Sequence, residues 1–222
     1  MKIDMHCHTK YSKDALASPS EIFKKLKKKG LDGFAITDHD NTNGWEDALL
    51  AAKENNMFLI LGEEIKSKNG DILGLFLNKE IKMKGEEPEK IIEEIHNQNG
   101  IAIIPHPFDL KKPFKDIEKY IDLVDGIEIF NARRFVSKEN SRALDLSLKH
   151  PNLAITAGSD AHALGGVGFA YIESSAKTTE EFKKDILLKN VKWQGLKAPL
   201  IYLLAPTLRK IKNALKLHSF FK

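Results

Sequence analysis

The stretch KIDMHCHTKYSKDALASPSEIFKKLKKKGLDGFAITDHD, residues 2–40, decides the fold. KIDMHCH reads as a β-branched and aliphatic strand. SPSEIFKKLKKKG reads as an amphipathic helix, with Ser18 as N-cap, Pro19 at its first position, Glu21 at N3 and Gly30 as its stop. GFAIT is a second strand, so these residues spell one βαβ unit. Both strands end on histidine: His6 and His8 after the first, His39 after the second.

The same grammar continues outward. WEDALLAAKENN is a helix and MFLILGEEI a third strand, and DILGLFL is its antiparallel partner across the SKNG turn. PEKIIEEIHNQNG is a helix that leads into the strand IAIIP. GIEIF and the helical SKENSRALDLSLKH follow, then the strand LAITAG running into SDAHA, the strand GFAYIES and the N-capped helix TTEEFKKDILLKN. Five or more parallel strands with intervening helices predict a closed or nearly closed β/α barrel, with a doubly wound open sheet as the alternative.

At 222 residues the chain can bury one substantial core, and one main domain is expected over residues 1–196. With 42% hydrophobic and 30% charged residues, it falls outside the disordered and fibrous classes. No apolar run approaches the roughly 20 residues that span a bilayer, and MKIDMHCHTK turns polar too early for a signal peptide. A cytoplasmic protein is expected. The single cysteine, Cys7, excludes an intramolecular disulfide.

The net charge of +4 is unevenly spread. Residues 197–222 carry Lys197, Arg209, Lys210, Lys212, Lys216 and Lys222 with no acid, which leaves 29 bases against 31 acids in the rest. Their apolar stripe reads as a helix docking on the body or on a second subunit. A nucleic-acid or membrane-surface contact is the less ordinary reading of this basic tail.

Five of eight histidines, His6, His8, His39, His106 and His162, follow strands, and His96, His150 and His218 do not. In parallel α/β folds, sites are built where strands end at their C-termini. A single strand-end histidine equally serves to bond a carbonyl or cap a helix. Carboxylates beside nearly every one weaken that reading: Asp4 and Asp14, Asp38 and Asp40, Glu63 and Glu64, and Asp160. Imidazole with carboxylate suits Zn²⁺, Mn²⁺ or Fe²⁺, whereas structural zinc calls for thiolates that are lacking. Side chains two apart on a strand share a face, so His6 and His8 can chelate together while Cys7 packs behind them.

In order, DMHCHTKYSKD, TDHD, GEEI, PHPF and GSDAHA resemble the successive motifs of the PHP (polymerase and histidinol phosphatase) family over about residues 1–196. The resemblance implies a distorted seven-stranded β/α barrel carrying two or three divalent metals, Mn, Zn or Fe with Mg as a further option. It implies hydrolysis of phosphoesters by metal-activated hydroxide. By motif match it implies His6, His8, Asp14, His39, Glu64, His106, Asp160 and His162 as ligands, with Glu64 rather than Glu63 bridging ions. One departure stands out: where small members have Gly-His, this chain has Gly70-Asp71. Asp71 is either an oxygen ligand favouring a harder ion or a turn residue.

Asp38 is assigned a catalytic, imidazole-supporting role together with Asp4. Arg133 and Arg134, after GIEIFN, are assigned to the substrate phosphate, Arg133 by preference because it fits the family's FNAR pattern. The expected activity is hydrolysis of a small phosphomonoester, a nucleotide among the candidates. The competing expectations are an exonuclease that tracks RNA or DNA with the basic tail, and a metal-binding module without turnover.

Overall fold

The computed structural model describes residues 1–204. Among them are β1 (Lys2–Cys7), α1 (Pro19–Lys28), β2 (Gly33–Ile36), α2 (Trp45–Asn55), β3 (Phe58–Lys66), β4 (Asp71–Leu75), α3 (Pro88–Asn97), β5 (Ile101–Ile104), β6 (Gly126–Asn131), α4 (Ser137–Lys149), β7 (Ala154–Gly158), β8 (Ala170–Glu173), α5 (Thr179–Leu187) and β9 (Lys192–Gly195). The basic tail beyond Leu204, and with it the expected homo-oligomer contact and nucleic-acid track, lies outside the described residues.

One sheet holds all nine strands, in the order β7-β6-β5-β4-β3-β2-β1-β8-β9. The runs β1-β2-β3 and β5-β6-β7 are parallel, and β4 is antiparallel to both of its neighbours. The sheet curls until β7 meets β1. Asp160 N–H donates to the His6 carbonyl at 2.7 Å and His8 N–H to the Ala161 carbonyl at 3.1 Å. A Cβ on Gly158 would stand 2.4 Å from the His6 Cβ, so only glycine permits this approach.

The barrel is therefore nearly closed, as expected, but it has nine strands rather than seven. The two additions form an antiparallel extension, β8 on β1 and β9 on β8. Sequence reading missed β9, whose KWQG alternates exposed and half-buried residues and offers no apolar run. Besides its pairing with β8, it is held by the Trp193 ring stacked on Phe130.

Helices coat the sheet where their sequences require it. In α1 the Ser18–Glu21 capping box forms in full, and Ile22, Phe23 and Leu26 are wholly buried. Each such side chain contributes roughly 1.5–3 kcal/mol of transfer free energy. They share an apolar cluster with Ala48, Ala51 and Ala52 of α2 and with Cys7, which does pack behind the histidine pair. A second cluster lies beneath α3 and α4, and a third takes in Phe182 and Ile186 of α5. No described helix is long and apolar enough to cross a membrane.

Candidate metal centre

The C-terminal edge of the parallel strands delivers His6 and His8 from β1, His39 after β2, Glu64 from β3, His106 after β5, and Asp160 and His162 after β7. Because β4 runs the other way, its N-terminus reaches the same edge and contributes Asp71. Among the described residues, four triads have ligand atoms within 4.8 Å of one another: His8-His39-His162, His6-His8-Glu64, His6-His106-Asp160 and Glu64-Asp71-His106. Asp14 completes the set, 3.3 Å from His162 and 3.7 Å from His39.

Glu64 is the hub. Its Oε2 lies 3.0 Å from His39 Nδ1, 3.2 Å from His8 Nε2 and 3.4 Å from His6 Nε2, while Oε1 lies 3.0 Å from His106 Nε2. Oε2 is nevertheless a buried oxygen that forms no hydrogen bond, and Asp14 Oδ1 is a second. Orphaned buried acceptors are expensive unless a cation meets them. His6 and His8 also face each other Nε2 to Nε2 at 3.1 Å. This convergence of lone-pair donors, imidazole and carboxylate together, fits divalent metal ions. Glu63 points to the other face, where it accepts the Ile81 N–H at 2.9 Å.

Charges are correspondingly displaced. Burial alone would lower the pKa of His39, but Glu64, with Asp14 and Asp160, outweighs it and pushes the imidazole up to about 9. For His162, burial and the His8 and Arg133 charges pull the pKa down to about 4. Burial would raise the Glu64 and Asp160 carboxyls, yet histidine, and for Asp160 also arginine, holds both well below the usual range. Asp71 is pushed up by burial and by Glu64.

Backbone strain aims two of these residues. His106 (φ 29°) and Asp160 (φ 48°) occupy the left-handed region, which costs an L-residue roughly 1–2 kcal/mol. Beside β3, Glu64 N–H donates to the Asp38 carbonyl and Asp40 N–H to the Glu64 carbonyl, holding His39 against Glu64.

Asp38 does not reach the cleft. Oδ1 accepts Thr9 N–H (2.8 Å), Ser12 N–H (3.1 Å) and Ser12 Oγ–H (2.6 Å), and Oδ2 accepts Thr9 Oγ1–H (2.6 Å). With its O–H donated to Asp38, Ser12 Oγ accepts from His8 Nδ1 at 3.2 Å and from His39 N–H at 3.1 Å. Asp38 thus meets the His8 ring through Ser12, rather than the ring of its sequence neighbour His39. Asp4, by contrast, bonds no imidazole; it accepts the backbone N–H groups of Ser159 (2.8 Å) and Gly168 (3.0 Å) and so staples β7 to β1.

Glu128 is the residue that sequence reasoning missed. Only 1% exposed on β6, it lies 3.1 Å from His6 Nδ1 and accepts His106 N–H at 2.9 Å and Asn131 Nδ2–H at 2.9 Å. Its signal was a charge inside GIEIFN, a strand with no solvent face.

Arg133 and Arg134 both line the cleft. Arg134 is a strut, paired with Asp109 and, at 2.9 Å, with Asp160. Arg133 stands 3.5 Å from Asp160 with its side chain 22% exposed, the freer of the two. The three ordinary histidines are placed as follows: His96 pairs with Asp125 and His150 with Glu118 on the surface, and His218 lies outside the described residues.

The PHP-domain family model matches residues 4–120, and a PHP-associated model matches residues 137–191. An uncharacterized protein of Methanocaldococcus jannaschii is 40% identical over 160 residues, covering 67% of this chain and 92% of its own. A 5'-3' exoribonuclease of Haemophilus influenzae is 32% identical over 128 residues, 53% of this chain and 46% of that one. A solved two-domain protein of Bacteroides vulgatus, containing a predicted PHP-like metal-dependent phosphoesterase, superposes with a TM-score of 0.74. At 18% identity, over 88% of this chain and 64% of that one, this likeness is one of fold.

Proposed function

The chain belongs to the PHP family, and from that premise we propose that it is a metal-dependent phosphoesterase releasing phosphate from a small phosphomonoester, with nucleotides among the candidates. The observation that carries this reading is Glu64: a buried carboxylate ringed by four imidazoles, with an oxygen no hydrogen bond claims, beside a cleft that Arg133 and Arg134 line.

His6, His8, Glu64 and Asp160 would hold one ion, Glu64, Asp71 and His106 a second, and Asp14, His39 and His162 a third. Asp71 brings an oxygen donor to the second position, which favours manganese or magnesium there. When bound, such ions activate water, orient it for in-line attack and neutralise phosphoryl charge.

The chain's own groups prepare each ligand. Glu128 accepts a hydrogen bond from His6 Nδ1–H, which keeps the proton on Nδ1, so Nε2 presents its lone pair. Ser12, primed by Asp38, does the same for His8, and the Asp160 carbonyl does so for His162. Arg134 braces Asp160 against Asp109, leaving the Arg133 guanidinium to grip phosphate oxygens in two-point fashion. Nothing in this scheme requires a side-chain nucleophile.

The test is phosphate release by manganese-loaded protein from mononucleotides, sugar phosphates and a 5'-phosphorylated oligonucleotide. Release from the small esters that disappears in Asp160→Asn supports the reading, and equal, slow release by both proteins removes it. The exoribonuclease relative favours a second reading, cleavage of short RNA. Nucleotide products from the oligomer without phosphate release would move the assignment there.

A further inference from the structure

The cleft over the ligands is much larger than a phosphate. Its volume of about 630 Å³ lies in the roughly 300–1,000 Å³ range of sites that enclose whole small molecules. Away from the carboxylates its wall changes character, to Leu110, Phe135 and Val136 beside Lys111 and Lys112. These apolar side chains are 68%, 59% and 38% exposed. Single exposed hydrophobics are ordinary, but three gathered at the mouth of one polar cleft are a patch with a place.

Their backbone is not loose. Leu110 N–H donates to Glu139 at 2.8 Å, a carboxylate only 8% exposed in the first turn of α4. Lys111 and Lys112 N–H both donate to Asp109, which also holds Arg134. At the start of the same helix, Lys197 Nζ ties the Phe135 carbonyl and the Ser137 hydroxyl, each at 2.7 Å. Pinned main chain beneath largely exposed apolar side chains, with Lys197 Nζ 5.9 Å from the Phe135 ring centre on one side, is a preorganised contact surface, which lowers the ordering cost of whatever binds it.

We propose that the substrate's leaving group carries an aromatic ring that packs on Phe135 and Leu110 while its phosphoryl group sits at the metal ligands beside Arg133. This rests on the phosphoesterase reading and narrows it from small phosphomonoesters to ring-bearing ones. Lys111 and Lys112 add positive charge at the entrance, which draws in a dianionic ester. A sugar or short alkyl leaving group would leave the Phe135 face in water.

Binding and turnover separate the two claims. Calorimetry of the manganese-loaded protein with benzylphosphonate and propylphosphonate, neither hydrolysable, reads ring preference without chemistry. The benzyl compound is expected to bind about 3- to 10-fold more tightly, with Phe135→Ala or Leu110→Ser bringing the ratio towards one. Both side chains are exposed, so an unchanged melting temperature verifies that the variants fold. Equal affinities in the wild type, no binding of either compound, or a ratio that survives both substitutions overturns the aromatic subsite. A ring preference in binding with no phosphate released from benzyl phosphate leaves the subsite standing and removes the phosphoesterase reading instead.

Discussion

Glu128 governs whether His6 can present a lone pair, so it is the sharpest test of the centre at the level of single residues. Glu128→Gln keeps the shape of the side chain but gives up the charge that holds the His6 Nδ1 proton. Metal affinity should fall by about 10- to 100-fold, as measured against a chelating dye, with little change in the metal-free melting temperature. His39 supplies a second test. At about 9, its raised pKa means that the metal-free protein carries a proton there at neutral pH, which metal must displace. Because His6 and His106 are raised as well, apparent affinity should rise with pH by at least about tenfold per unit and level off once these rings are neutral. His162, held near 4, is already neutral and adds no such dependence. Calorimetry in buffers of different ionisation enthalpy counts the released proton, and an affinity flat from about pH 6 to 9 would sink His39 as a ligand. The eight residues implied as ligands by motif match, and Asp71 beside them, come together in one cluster of side chains. What stayed illegible was the supporting layer. Asp38 sits next to His39 in sequence yet serves His8, and Glu128 reaches His6 from a strand 122 residues away. Adjacency along the chain carries no information about which carboxylate faces which ring.

Direction is what matters at the level of elements. The parallel strands were legible because apolar runs, helix caps and turn residues agreed, and the Ser18 capping box is the plainest instance. β4 was legible as an antiparallel partner of β3, and that orientation alone brings Asp71 to the ligand edge. Asp71→His restores a nitrogen donor there, so the metal preference of the second position should move from manganese towards zinc. Competitive loading followed by elemental analysis would show it, and unchanged metal content would make Asp71 a turn residue. Closure of the barrel depends on β7 and β1 sharing a space that admits no Cβ. In Gly158→Ala the new methyl would meet His6 backbone at 2.6 Å, which cannot swing aside as a side chain would. The variant should lose about 1–3 kcal/mol of stability by overpacking and weaken metal binding with it, because His6 must move. Denaturant unfolding and dye competition read the two effects on one sample. The near-closure was expected from the order of strands and helices, whereas β9 could not be read from sequence, because KWQG offers no apolar run.

Across the whole molecule, the ligands come from β1, β2, β3, β4, β5 and β7, so a bound ion ties together nearly the full circumference of the barrel. Without it, the chain must keep Glu64 and Asp160 buried, and Asp71 half-buried, beside five histidines, with orphaned oxygens at Glu64 and Asp14. The chain tolerates this frustrated arrangement because the three apolar clusters around it are large, so the metal-free protein is expected to fold but to melt early. A ligand that binds only the folded state stabilises it by about 4 kcal/mol at a thousand times its dissociation constant. For a chain of this size, each kcal/mol shifts the melting temperature by about 2–4 °C, so metal loading should raise it by roughly 8–16 °C. The ligand origins also predict the form of the shift. Because the ions join strands from both halves of the barrel, the whole transition should move as one, without a separate early step for any single element. Calorimetric scans before and after chelation measure this directly. A melting temperature that ignores the chelator would mean that the imidazoles and carboxylates are satisfied by one another, and the metal centre would have to be abandoned along with the phosphoesterase built on it.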